Sequence, residues 1–159
     1  MRRLLKFCHT MGAIGLMGAM VCLLVLLSLT PAPAQLAQYA LMRGAMGQIA
    51  TWVILPSFAL TLIAGLLAMA FNRAFHNAGW AWVKLATGIV VFEAGFVGVI
   101  GPMQEEAERS AEALAGKIDA ATLAQTLSAE NGSLWLLLAV STVNVVFGVW
   151  RPKLTRIPD

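Results

Sequence analysis

The chain has 159 residues, 59% hydrophobic and only 12% charged, with a formal net charge of +3 and a mean hydropathy of +0.78. A soluble domain of this length covers its core with more polar surface than such a composition supplies, so lipid is the expected solvent. The basic excess forms no clustered arm or aromatic-interleaved patch, which argues against a nucleic-acid site and assigns the positive charge to an anionic membrane surface.

A membrane-crossing helix takes roughly 20 mostly apolar residues, and four stretches qualify, at about 4–29, 51–71, 81–100 and 133–150. The expected fold is all-α, a four-helix transmembrane bundle forming a single domain over residues 1–159. In the first stretch, Arg2, Arg3 and Lys6, an apolar run and Ala32-Pro33-Ala34 also fit a cleavable secretory signal. The uncharged run from Phe7 to Leu29 is about 23 residues long, however, against roughly 7 to 15 for a signal core, so a retained span is expected. Within it Gly12, Gly15 and Ala19 form a small-residue side suited to close helix packing.

After a short Pro-containing link over Thr30 to Gln35, Leu36, Tyr39, Ala40 and Met42 alternate with Gln38, Arg43 and Gln48. This pattern predicts an external amphipathic helix at the interface, running into the second span. Pro56 is expected to kink or loosen a turn there, and Gly65 to offer another close contact. On the third span Lys84, Gly88, Val91 and Gly95 share one face.

The polar external loop, 103–131, opens with a solvated helix from Gln104, its weak apolar side made by Ala111, Leu114 and Ala115. A second short helix is expected from Asp119, and Gly132 lies near the start of the last span. The acidic residues of this loop, Glu105, Glu106, Glu108, Glu112, Asp119 and Glu130, read as a solvated face; docking of a basic partner is the alternative. Orientation follows from Lys and Arg near the span ends. One side carries Arg2, Arg3, Lys6, Arg73, Lys84, Arg151, Lys153 and Arg156, the other only Arg43, Arg109 and Lys117, which predicts both termini in the cytoplasm.

His9 and Lys84 are the leading candidate site residues, since polar side chains inside a bilayer face a bundle interior, a partner or a cofactor. Both lie a turn or so into their helices at the predicted cytoplasmic end, and they approach one another if the first and third spans are neighbours. Gly12 and Ala13, one turn beyond His9, would leave a flat space that suits a porphyrin, with His9 as a haem-iron ligand and a neutral Lys84 amine as a second. The plain alternatives are a hydrogen-bonded histidine and a lysine reaching the headgroups. His76, in the connection between the second and third spans, is a further candidate for the same site. Glu93, in the middle of the third span on the face opposite Lys84, is expected to be protonated or hydrogen-bonded, with Ser141, Thr142 or Asn144 as partners. Cys8 and Cys22 lie about 21 Å apart along one helix, too far to bridge, and the methionines read as core filler before copper ligands. No phosphate loop or hydrolase elbow is present.

Lys6-Phe7-Cys8-His9, Leu55-Pro56-Ser57 with Gly65-Leu66-Leu67, and Gly79-Trp80 followed by Trp82-Val83-Lys84-Leu85 resemble the K-x-x-H, P-x-x-x-x-x-x-x-x-G and G-W-x-x-x-K-L pattern of a bacterial membrane superfamily. Its members include HemJ-type protoporphyrinogen oxidases, CopD-type copper-resistance proteins and an uncharacterised family of four-span membrane proteins that is nearest in length and layout. The HemJ-type resemblance implies a haem b protein with His9 and Lys84 as its key polar residues. Leu26 to Ala34 lacks the basic and aromatic stretch and the further His of that family, so its reaction does not carry over. The resulting expectation is an inner-membrane haem-associated protein with a redox or porphyrin-related role. A non-catalytic accessory subunit or assembly factor, bound to a membrane-protein partner or to copies of itself, is the alternative, and copper handling or small-solute transport a further one.

Overall fold

The computed structural model describes residues 2–72, 75–76, 78–123 and 127–150. Among these the secondary structure is helical throughout. We number four long helices α1 (Arg2–Leu29), α2 (Leu36–Ala70), α3 (Gly79–Leu114) and α4 (Leu127–Trp150), with a short 3₁₀ turn at Ala120–Thr122. All four are long and apolar enough to cross a membrane. Each packs on its neighbours in sequence and α4 closes the ring on α1, so α1 and α3 are diagonal across the bundle rather than adjacent.

The surface is what a lipid-facing bundle requires. Ile14, Val25, Ile63, Val90, Val97, Leu136 and Val149 are all exposed, an apolar area that water would not tolerate on a monomer. Exposed tryptophans mark two levels: Trp52 on α2 with Trp135 on α4, and Trp82 on α3 with Trp150 on α4. Trp135 and Trp150 lie about 22 Å apart at 1.5 Å per residue. Belts of this kind sit at the two interfaces of a hydrocarbon layer about 30 Å thick. The core between them joins Leu16, Met20, Leu23 and Leu27 of α1 to Ile54 and Phe58 of α2, Val91 and Val99 of α3, and Leu134 and Leu137 of α4. Lipid offers no hydrophobic drive to associate, so close fit carries the packing. A methyl group on Gly95 would overlap the Phe58 ring, which also meets Phe92 edge-on at 5.6 Å.

The two middle helices are far longer than their expected spans. At 35 residues in α2 and 36 in α3, each runs about 50 Å, some 20 Å more than the hydrocarbon needs. The segment Leu36–Ile49 therefore does not lie along the interface as an amphipathic helix. It continues α2 outward and packs along Gly101–Leu114, where a methyl on Gly47 would lie 2.9 Å from the Ala107 Cβ.

Both helices change to π-helical geometry at the same level, over Ala50–Ile54 in α2 and Phe96–Ile100 in α3, and these two turns touch. Each ends two residues before a proline, Pro56 and Pro102. A proline lacks the N–H that would bond the carbonyl four residues earlier and its ring crowds that carbonyl. Those carbonyls belong to Trp52 and Gly98, the middle residues of the two wide turns. The loosened turn expected at Pro56 is thus present, with a counterpart at Pro102. α3 ends in a Schellman turn, in which Gly116 takes φ +73°, its N–H bonds the Ala113 carbonyl and that of Lys117 bonds Glu112.

Candidate functional site

Two clusters of polar side chains lie at opposite ends of the bundle, and only one of them was expected. At the end where α1 begins, His9 is half-buried against α2, its Nδ1 2.8 Å from the Thr61 carbonyl oxygen. A carbonyl only accepts, so Nδ1 carries a proton, and in the neutral ring the lone pair is then on Nε2. Gly65 faces the imidazole, and a methyl there would sit 3.4 Å from the ring. Lys84 lies close enough for its charge to act on His9. Its Nζ is turned onto α4, 2.7 Å from where a methyl on Gly148 would stand.

The flat space expected beside Gly12 and Ala13 is filled. A methyl on Gly12 would overlap the Thr61 hydroxyl and lie 2.9 Å from the Ser57 carbonyl oxygen. The glycine face of α1 is a packing seam with α2, and a macrocycle cannot lie there. For a haem, then, the donor chemistry at His9 fits, whereas the predicted slot does not. Any such group must use the side of the imidazole away from the Gly12 seam.

His76 is exposed in the connection, with Nε2 2.9 Å from the Met69 carbonyl and its own carbonyl accepting from Trp82 Nε1 at 2.8 Å. It lines a shallow groove with Met69, Ala70, Trp82 and Leu85, and His9 does not belong to that groove. Glu93 is exposed on the outer face of α3. The partners expected for it are engaged otherwise: Asn144 Oδ1 accepts from Thr87 at 2.6 Å and Thr142 donates to the Leu138 carbonyl, while Ser141 Oγ is buried without a hydrogen bond. Cys8 and Cys22 are free thiols. Among the described residues no three His, Cys, Asp or Glu side chains converge as a metal site. Arg73, Arg151, Lys153 and Arg156, used for orientation, lie outside the described residues.

The second cluster sits beyond the Trp52 and Trp135 level. Arg43 is 0% exposed and Glu130 2%, with Arg43 Nη1 2.7 Å from Glu130 Oε2. Arg43 Nε donates to the Tyr39 hydroxyl at 3.1 Å, and Tyr39 donates to Glu106 Oε1 at 2.6 Å. Ser110, also buried, completes this side of α3. Burial works against the Arg43 charge, but Glu130 and Tyr39 outweigh it and hold the guanidinium above its ordinary value. Burial, then the bond to Glu106, pushes the Tyr39 phenol up. Arg43 Nη2 is buried without a partner. The acidic residues of the external loop are therefore not one solvated face: Glu106 and Glu130 are internal. The apolar side predicted from Ala111, Leu114 and Ala115 is exposed, and the buried side is Met103, Glu106, Ser110 and Ala113.

Comparison with known protein families, with curated proteins and with solved structures gives no match. The reading of these sites rests on the chain itself.

Proposed function

We propose that the chain is a haem b-associated protein of the bacterial inner membrane, with both termini cytoplasmic and His9 supplying an iron ligand through Nε2. The observation that supports this best is the His9 Nδ1–H bond to the Thr61 carbonyl. Histidines that ligate metals are commonly held this way, the second nitrogen bonded to a backbone carbonyl so that ring orientation and tautomer are fixed. Thr61 orients, His9 ligates, and Lys84 provides either a second amine ligand or a nearby positive charge. A bound haem would supply one-electron chemistry, in keeping with a redox or porphyrin-related role. The family resemblance through the His9 and Lys84 motifs favours the same reading, without its oxidase reaction.

Protein purified from membranes in mild detergent is expected to show a Soret band, lost in His9→Ala with helical circular dichroism retained. Lys84→Met shifts that band if the amine ligates. A wild-type protein that is colourless and takes up no added haem overturns the reading.

The filled Gly12 seam favours a second reading, a non-catalytic accessory subunit. A colourless protein that co-purifies with one membrane protein in fixed stoichiometry would support it. Copper handling finds less support, since the two described histidines are held apart by separate backbone bonds.

A further inference from the structure

The outer face of α3 carries a carboxyl in the middle of an apolar stripe. Val90 is 61% exposed and Val97 72%, and Glu93, also exposed, lies between them at helical spacing. Val91, Gly95 and Val99 on the opposite face are buried in the core, so packing fixes the direction in which Glu93 points. Along the helix it stands about 16 Å from the Trp82 level and about 7 Å before Gly98, whose turn touches the Trp52 level, and its Cβ tilts toward the start of α3, away from that nearer level. A glutamate is too short to reach the headgroups from there, as a Lys or Arg stem can. Nearby polar side chains are engaged inside the bundle, Thr87 with Asn144, and among the described residues none hydrogen-bonds Glu93. Lys84 lies more than two turns away and faces Gly148.

A polar group held toward lipid is costly unless a partner satisfies it. We propose that this face is an interface between two copies of the chain, in which the Glu93 carboxyls meet near a two-fold axis and hydrogen-bond each other. A carboxylic acid offers both a donor and an acceptor and is its own complement. A two-fold contact brings the same residue of both copies together. Among the described residues no basic side chain is exposed at that depth, so a second copy presents the carboxyl alone. Val90, Val97, Ile89 and Phe96, all exposed, provide the apolar flanks. The inference uses only the outer surface of α3 and is independent of haem.

Energy transfer between donor- and acceptor-labelled full-length chains in liposomes, followed over a range of protein-to-lipid ratios, tests it. Wild type is expected to reach the saturating signal of a dimer. Glu93→Leu should weaken association about tenfold, the scale of an interhelical hydrogen bond in lipid. Glu93→Gln, whose amide also donates and accepts, should keep most of it. Val97→Trp should disrupt the contact and Ile63→Trp on α2 should not. A wild type that stays monomeric at every density, or Glu93→Leu associating as wild type does, overturns the proposal.

Discussion

Arg43 shows how one residue can decide the arrangement of three helices. It stands on α2, pairs with Glu130 of α4 and touches Tyr39, which in turn reaches Glu106 of α3. Removing one member of a buried pair leaves an uncompensated charge, so Glu130→Ala is expected to cost about 3–5 kcal/mol of stability. Replacing both, Arg43→Met with Glu130→Leu, should cost far less; thermal unfolding in detergent compares them. Tyr39 is the only tyrosine of the chain, so its ionisation can be followed by tyrosinate absorbance. Its folded pKa is raised, by burial first and then by Glu106, so its stability contribution is complete below the ordinary value of about 10 and is lost as pH rises through the folded value. The titration midpoint is expected above that of a free tyrosine, with loosening of the external halves over the same range, and Tyr39→Phe should abolish the absorbance change. A midpoint at or below the free value would contradict the described contacts. The pairing was hard to read from sequence because Glu106 sits among the exposed acids Glu105, Glu108 and Glu112 and Glu130 stands far away in the chain, on another helix. The legible sign was local: Tyr39 and Arg43, and likewise Glu106 and Ser110, repeat at i and i+4 on one face.

At the level of elements, the π turns set the register between each membrane half and its external continuation. A wide turn holds one more residue than an α turn, so the extra residue rotates one half against the other by about 100° relative to an unbroken helix. Deleting the exposed Val53 together with Pro56→Ala should convert that turn to α geometry and keep Arg43 aimed at Glu130. Deleting the exposed Leu41 instead shifts Tyr39 out of phase with Arg43. The first variant is expected to melt near wild type and the second well below it; the reverse order would refute the register argument. The α1–α2 seam gives a simpler case. Gly12→Val must displace Thr61 or Ser57 and should destabilise by about 1–3 kcal/mol, while Gly18→Val, at a position with open space around it, should be nearly neutral. Seam glycines were visible in the sequence, but which helix they would meet was not, because spacing fixes a face and not its neighbour. The same gap left the Thr61 carbonyl unforeseen as the orienting partner of His9, since every residue has a backbone carbonyl.

For the whole molecule, hydropathy was enough to place four apolar helices, because a lipid-facing surface needs little beyond apolar side chains over a fixed length. It underestimated α2 and α3, whose outer segments are less apolar than their membrane segments, so the hydropathy signal stopped near the hydrocarbon boundary while the helices did not. His9 and Lys84 were legible as polar interruptions, and they share one end of the bundle from diagonal helices, a relation that only the ring order of the four helices reveals. Whether that end holds a cofactor is decided most directly by the haem content per chain of protein purified from membranes grown with ample haem precursor. About one haem b per chain in the wild type, none in a folded His9→Ala, is the result predicted. Wild-type protein without haem, or His9→Ala with a full complement, would contradict it.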